Sequence, residues 1–289
     1  MRRPLPANRR RRSTAISRGA SGARRPWYWT RWEGGMECMV RGALLRLLAA
    51  LDGFQVVIQP IVHLRDFNHL AGLECLVRGP AGPLEHPDQF LGEARRCRAF
   101  MAVEAAICRT VAARVAPRLP LNGANGDAPS AFVNVSRETL LAGPDGAAGR
   151  SLLPFADRVT LELTGDGPAT IPCTALQEAW SRWRWSGFRL SIDDLGEGHN
   201  GLAAVVGLEP DYVKLDLGQL RRVAPFRLPG VLRSLADCVK ELGAVPIAEK
   251  VESSEELELV EAAGVGLVQG FHIALPQDFD TFFAGRALP

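Results

Sequence analysis

Residues 190–196 read LSIDDLG, a short apolar run that stops on two aspartates, Asp193 and Asp194. Such a run suits a strand buried on both faces, where a charged side chain is costly unless it is paired or binds a metal. The same punctuation recurs along the chain. Leu70–Leu76 carries Glu74, Ala131–Val135 carries Asn134 (FVNVS), and Arg158–Leu163 carries Glu162 (VTLELT). Tyr212–Leu215 contains Lys214 (YVKLD), Val245–Ala248 runs into Glu249 (PIAEKVE), and Val265–Val268 runs into Gln269 (LVQG). With Phe54–Pro60 and Phe188–Ile192 the apolar runs number eight. Helix-like stretches lie between them at Pro87–Val115, Ala175–Trp185, Gly230–Leu242 and Ser254–Ala263. Strands alternating with helices imply parallel βαβ units, and eight of them suit a (β/α)8 barrel better than an open sheet.

A barrel brings its strand C-termini to one rim, where barrel enzymes place their chemistry. The polar residues above would then converge in one pocket. So many carboxylates raise one another's pKa unless cations neutralise them. An all-oxygen donor set favours Mg2+ or Mn2+ over zinc. Adjacent aspartates let one carboxylate bridge two ions, an arrangement that drives phosphoryl displacement. Any one Asp or Asn at a strand end is commonly a helix N-cap. Capping, however, does not require this set of residue types at seven strand ends.

Composition is that of an ordinary globular protein, 47% hydrophobic and 23% charged over 289 residues. The net charge of +2 is uneven: residues 1–35 hold ten arginines and one acid, leaving 24 basic against 31 acidic residues, a net −7, for the remainder. That Arg/Pro/Ser/Gly-rich start is expected to be an unstructured tail over 1–41, with the barrel domain over 42–289. A nucleic-acid or anionic-membrane contact by the arm, with Trp27, Trp29 and Trp32 as anchors, is the weaker alternative. Six scattered cysteines without a Cys-x-x-Cys pair fit neither a zinc site nor a disulfide framework and suit the cytoplasm. No run approaches the length of a membrane helix. Residues 120–130 read as a Gly/Asn/Pro-rich loop insertion. Trp180 and Trp183, three apart, are expected to pack a helix on the barrel, with a dimer surface as the alternative.

The ordered set of motifs resembles the EAL domain family. LAGLECLVR (Leu70–Arg78) resembles the family's signature Glu-Ala-Leu strand, with Glu74 as its glutamate and Cys75 in place of the alanine. IQPIV (Ile58–Val62) resembles the opening strand, and FVNVS, LELT, IDDLGEG, VKLD, AEKVE and VQG follow in the family's order over about residues 42 to 283. The resemblance implies a modified TIM barrel that hydrolyses cyclic di-GMP to linear pGpG with two Mg2+ or Mn2+ ions. It implies that Glu74, Asn134, Glu162 and Asp193 hold the first metal, with Asp193 bridging and Asp194 helping to hold the second. Lys214 and Glu249 would position and activate the attacking water, Gln269 would support the pocket floor, and Gln59 and Arg78 would face the substrate, Arg78 near a phosphate. A homodimer is expected, with regulation by a protein partner.

Beside Cys75, Gly165 and Lys250 depart from the family pattern, as does the segment DLGEGHNGL (Asp194–Leu202). Gly165 stands where active members carry a second glutamate that anchors the loop after the aspartate pair, which implies a looser loop and reduced activity. Asp166 or Glu197 could substitute, and His199 in the same loop reads as an ordinary loop histidine. Lys250 replaces the glycine of the usual Ala-Glu-Gly triplet, and its expected place is away from the pocket in solvent, with contact to a phosphate or crowding of the site as the alternatives. These departures support a second function, a catalytically weak cyclic-di-GMP receptor or protein-interaction module.

Overall fold

The structure, a computed structural model, describes residues 39, 41–43, 45–46, 54–120, 128–165, 172–195 and 201–284. The arginine-rich arm, most of the 120–130 insertion, and Asp166, Glu197 and His199 lie outside the described residues. Among those described, no helix is long and apolar enough to cross a membrane.

Nine strands form one sheet: β1 (Gln55–His63), β2 (Asp66–Arg78), β3 (Ser130–Val135), β4 (Val159–Leu163), β5 (Arg189–Ile192), β6 (Tyr212–Asp216), β7 (Val245–Glu249), β8 (Leu267–Val268) and β9 (Gln277–Asp278). Each strand from β2 to β8 pairs in parallel with the next. β1 pairs with both β8 and β2 and closes the ring into an eight-stranded barrel, and β9 adds to its edge.

The first unit departs from βαβ. β1 and β2 are antiparallel, joined at His63–Asp66 by a tight turn. Only the nine residues 61–69 separate the two apolar runs, too few for a crossover helix, which needs a dozen or more. This hairpin also corrects the position of Glu74. Its strand continues to Arg78, so Glu74 sits mid-strand opposite Gln59 rather than at a strand end.

The stretch Pro87–Val115 is two helices, Pro87–Arg96 and Phe100–Arg114, broken where Arg98 takes a positive φ of 56°. The other sequence-predicted helices form within two residues of the expected bounds, at Cys173–Trp185, Leu228–Glu241 and Ser254–Ala262. Trp180 and Trp183 are buried, and Trp183 Nε1 donates to Leu140 O at 2.9 Å, so this pair packs the helix on the barrel. Trp185 is left 91% exposed.

The period of two along a strand positions the site. Ile61, Phe132, Ile247 and Leu267 form a small apolar cluster of their own. Each lies two residues from a polar residue: Gln59, Asn134, Glu249 and Gln269 respectively. Both members of each pair share a face, so the barrel interior carries an apolar floor with a polar layer above it.

Candidate active site at the barrel rim

The polar layer is fixed by strand register. Asn134 pairs across β3–β4 with Glu162, and Asp216 across β6–β7 with Glu249. Asp193 directly follows β5, and Gln269 directly follows β8. Side chains separated by almost 200 positions therefore meet at one end of the barrel.

Lys214 lies at the centre, 1% exposed. Its Nζ is 2.8 Å from Glu162 Oε1, 3.1 Å from Glu74 Oε2 and 3.4 Å from Glu249 Oε2. Burial alone would strip its proton, but Glu162, Glu74, Asp193 and Glu249 hold its pKa well above the ordinary lysine value. Glu74 is the mirror case. Burial raises its pKa, and the Lys214 charge with hydrogen bonds from Gln269, Lys214 and Asn134 more than offsets this, so it stays ionised. Gln269 Nε2 donates to Glu74 Oε2 at 2.5 Å and lies 3.2 Å from Gln59 Oε1, while Gln59 Nε2 donates to Ala274 O at 3.0 Å. Asn134 Nδ2 donates to Glu74 Oε1 at 3.4 Å.

Three carboxyl groups have their pKa raised above the ordinary carboxylate value. Burial pushes Glu162 well above the carboxylate range despite Lys214, with Glu74 and Asp193 adding repulsion. Burial also raises Asp193, opposed by Lys214 and reinforced by Asp194. Burial pushes Glu249 up to about 8, again against Lys214 and with Asp193 and Glu74 repelling. Carboxyl groups whose charged form is disfavoured by burial, and further by one another, form a site that gains from a cation.

The donor set fits a hard divalent ion. Oxygens of Asp193, Asp194 and Glu249 lie within 4.8 Å of one another, the one such group among the described residues. Glu162 Oε2 and Glu249 Oε1 are buried without a hydrogen-bond partner. All these donors are oxygens, the preference of Mg2+ and Mn2+. Glu249, expected to act on water, is thus also within ligand spacing, while it shares Lys214 with Glu74 and Glu162.

A cavity of about 300 Å3 opens over this layer, lined by Gln59, Glu74, Asp193, Asp194, Glu249, Lys250, Glu252, Gln269 and Phe271 among others. A second, of about 520 Å3, shares Leu76 with it and holds Asn134, Arg95 and Phe100, with the Arg95 guanidinium 3.8 Å above the Phe100 ring. Arg78 stands apart, its Nη1 donating to Val77 O at 2.9 Å. Lys250 lines the cavity rather than turning away from it, although its side chain is 53% exposed. Its Nζ donates to Asp216 Oδ2 at 2.6 Å.

Asp216 is the rim residue that sequence reasoning passed over. It is the final letter of VKLD, caps the following turn by accepting from Gln219 N at 3.2 Å, and is buried. The signal was present as the last letter of YVKLD, although the apolar run read there stopped at Leu215 and the strand itself ends on this acid.

Solved structures share the fold. The PaMucR phosphodiesterase in a c-di-GMP complex superposes with a TM-score of 0.69 at 22% identity, covering 83% of this chain and 98% of that one. BlrP1 of Klebsiella pneumoniae, in a manganese/cyclic-di-GMP complex, gives 0.63 at 26% identity over 78% and 56%. Among curated proteins, the cyclic di-GMP phosphodiesterase PdeB of Shewanella oneidensis is 25% identical over 267 residues, 84% of this chain and 30% of its own length. The probable cyclic di-GMP phosphodiesterase PdeG of Escherichia coli is 26% identical over 227 residues, 75% and 43%. The chain therefore spans less than half the length of these curated relatives. Residues 41–276 match the model of the EAL domain, and with most of its length inside that match the chain belongs to the EAL domain family.

Proposed function

We propose that the chain is a divalent-metal-dependent phosphodiesterase that opens cyclic di-GMP to linear pGpG. The observation that carries this reading is the rim itself, where Asp193, Asp194 and Glu249 stand in ligand spacing beside the buried Lys214 cluster. Glu74, Asn134, Glu162 and Asp193 would hold the first Mg2+ or Mn2+, with Asp193 shared and Asp194 turned toward a second position. A bound divalent ion lowers the pKa of water and neutralises charge on the phosphoryl oxygens.

The remaining work falls to the protein. Lys214 keeps Glu74 ionised and sets a cation where negative charge grows during attack on phosphorus. Burial raises the Glu249 pKa to about 8 with no ion present, so a cation beside it would favour the carboxylate, which would take the proton of the attacking water. Gln269 and Gln59 fix the Glu74 carboxylate through their paired amides. Arg78, with its Nη1 on Val77 O, keeps further guanidinium N–H donors for a phosphate. Phe100 and Arg95 in the adjoining cavity offer an aromatic face and a cation to the rest of the dinucleotide. A cytoplasmic site of action, a homodimer and a regulatory protein partner complete the proposal.

The test is turnover by the wild type and by Glu74→Ala with Mn2+, read as pGpG by chromatography. The substitution is expected to lower the rate at least about a thousandfold with the fold retained by circular dichroism. Unchanged turnover would sink the assignment. Lys250 on Asp216 and the small Gly165 favour the receptor as the second reading, marked by tight cyclic-di-GMP binding without pGpG.

A further inference from the structure

Lys250 follows β7 in a backbone conformation that does not suit it. Its φ is +58°, in the left-handed region that glycine occupies freely and a side chain with a Cβ does not. The peptide is pinned on both sides: Arg221 Nη2 donates to Lys250 O at 3.0 Å, and Val251 N donates to Gln269 O at 3.1 Å. Backbone held out of its preferred region is retained where the surroundings over-determine it, commonly at functional sites. The consequence here is directional, because the side chain turns back over the rim.

Its ammonium meets carboxylates from three different strand ends. Nζ lies 2.6 Å from Asp216 Oδ2, 3.8 Å from Glu249 Oε1 and 3.9 Å from Asp194 Oδ1. Two of these, Asp194 and Glu249, belong to the one ligand-spaced carboxylate group among the described residues. A divalent ion placed among those oxygens would face a fixed positive charge at close range in a partly buried site. Lys214 lies against Glu162 and Glu74 and meets Lys250 at Glu249, whose two oxygens are 3.4 Å from the Lys214 ammonium and 3.8 Å from that of Lys250.

We propose that the Lys250 ammonium is a built-in cation that takes the place of the second divalent ion, so that the chain binds one Mn2+ rather than two. This rests on the metal-dependent reading above and changes its stoichiometry. The Asp193–Glu162 flank keeps an ion, and the Asp194–Asp216 flank is compensated by the protein itself.

The test is Mn2+ binding to the metal-stripped full chain, by electron paramagnetic resonance of free Mn2+ and by calorimetry. The wild type is compared with Lys250→Gly and with Lys250→Asn, which tolerates the left-handed backbone while removing the charge. One Mn2+ per wild-type chain is expected, and two per chain in both variants, the second tightened by at least about tenfold. Two ions on the wild type, with affinities equal to those of the variants, would overturn the inference and leave the metal reading standing. Absence of Mn2+ binding in all three chains would overturn the metal reading and the inference with it.

Discussion

Glu249 lies 3.4 Å from the Lys214 ammonium and yet holds its proton up to about pH 8, because burial outweighs that attraction and Asp193 and Glu74 repel the charged form. Lys214, Asp193, Glu74 and Lys250 are the groups that set its titration. Its ordinary value is 4.5. Between 4.5 and about 8 the unfolded chain has released a proton that the folded chain keeps, so folding stability falls as pH rises through that window. Metal-free protein in EDTA is therefore expected to melt about 5 °C lower at pH 8 than at pH 6. Glu249→Gln, which cannot ionise, should flatten that slope, and an equal slope in the variant would show that other groups set it. The same residue was legible in the sequence as the polar end of an apolar run. Its second part, within ligand spacing of Asp193 and Asp194, was not, because spacing between side chains on β5 and β7 depends on barrel closure.

At the level of elements, what could be read depended on local pattern. Runs such as Ala131–Val135 and Tyr212–Leu215 gave their strands to within a residue, because buried parallel strands are nearly continuous in apolar residues. The β1–β2 hairpin was the miss in topology, since the general barrel pattern overrode the short spacing between two runs. The break at Arg98 was missed because neither Gly nor Pro marks it. Asp216 was hidden by its double use as a helix cap and a rim acid, whereas Lys250 was marked in the sequence but its partner Asp216 was not. Gly165 belongs to this scale too. It lies two residues past the β4 strand end, at the position where the family resemblance implies a loop-anchoring glutamate in active members. Gly165→Glu is expected to raise pGpG formation several-fold, about 1 kcal/mol in the barrier. No gain would mean that this loop does not limit the rate.

For the molecule as a whole, charge separates two tasks. Residues beyond 35 carry a net −7, and the proposed substrate is itself an anion with two phosphates. Such a body repels its ligand everywhere except where cations are concentrated. Lys214 and Lys250 on the apolar floor of Ile61, Phe132, Ile247 and Leu267 supply part of that concentration, and a bound divalent ion would supply the rest. The barrel holds these groups in a fixed relation because β1 closes the ring between β8 and β2. The direct test is to incubate the wild-type chain with cyclic di-GMP and Mn2+ in 18O-labelled water and weigh the product by mass spectrometry. The account predicts linear pGpG carrying one 18O on its terminal phosphate, as attack by water on one phosphorus requires. Cyclic di-GMP recovered intact after prolonged incubation at saturating Mn2+ would contradict it.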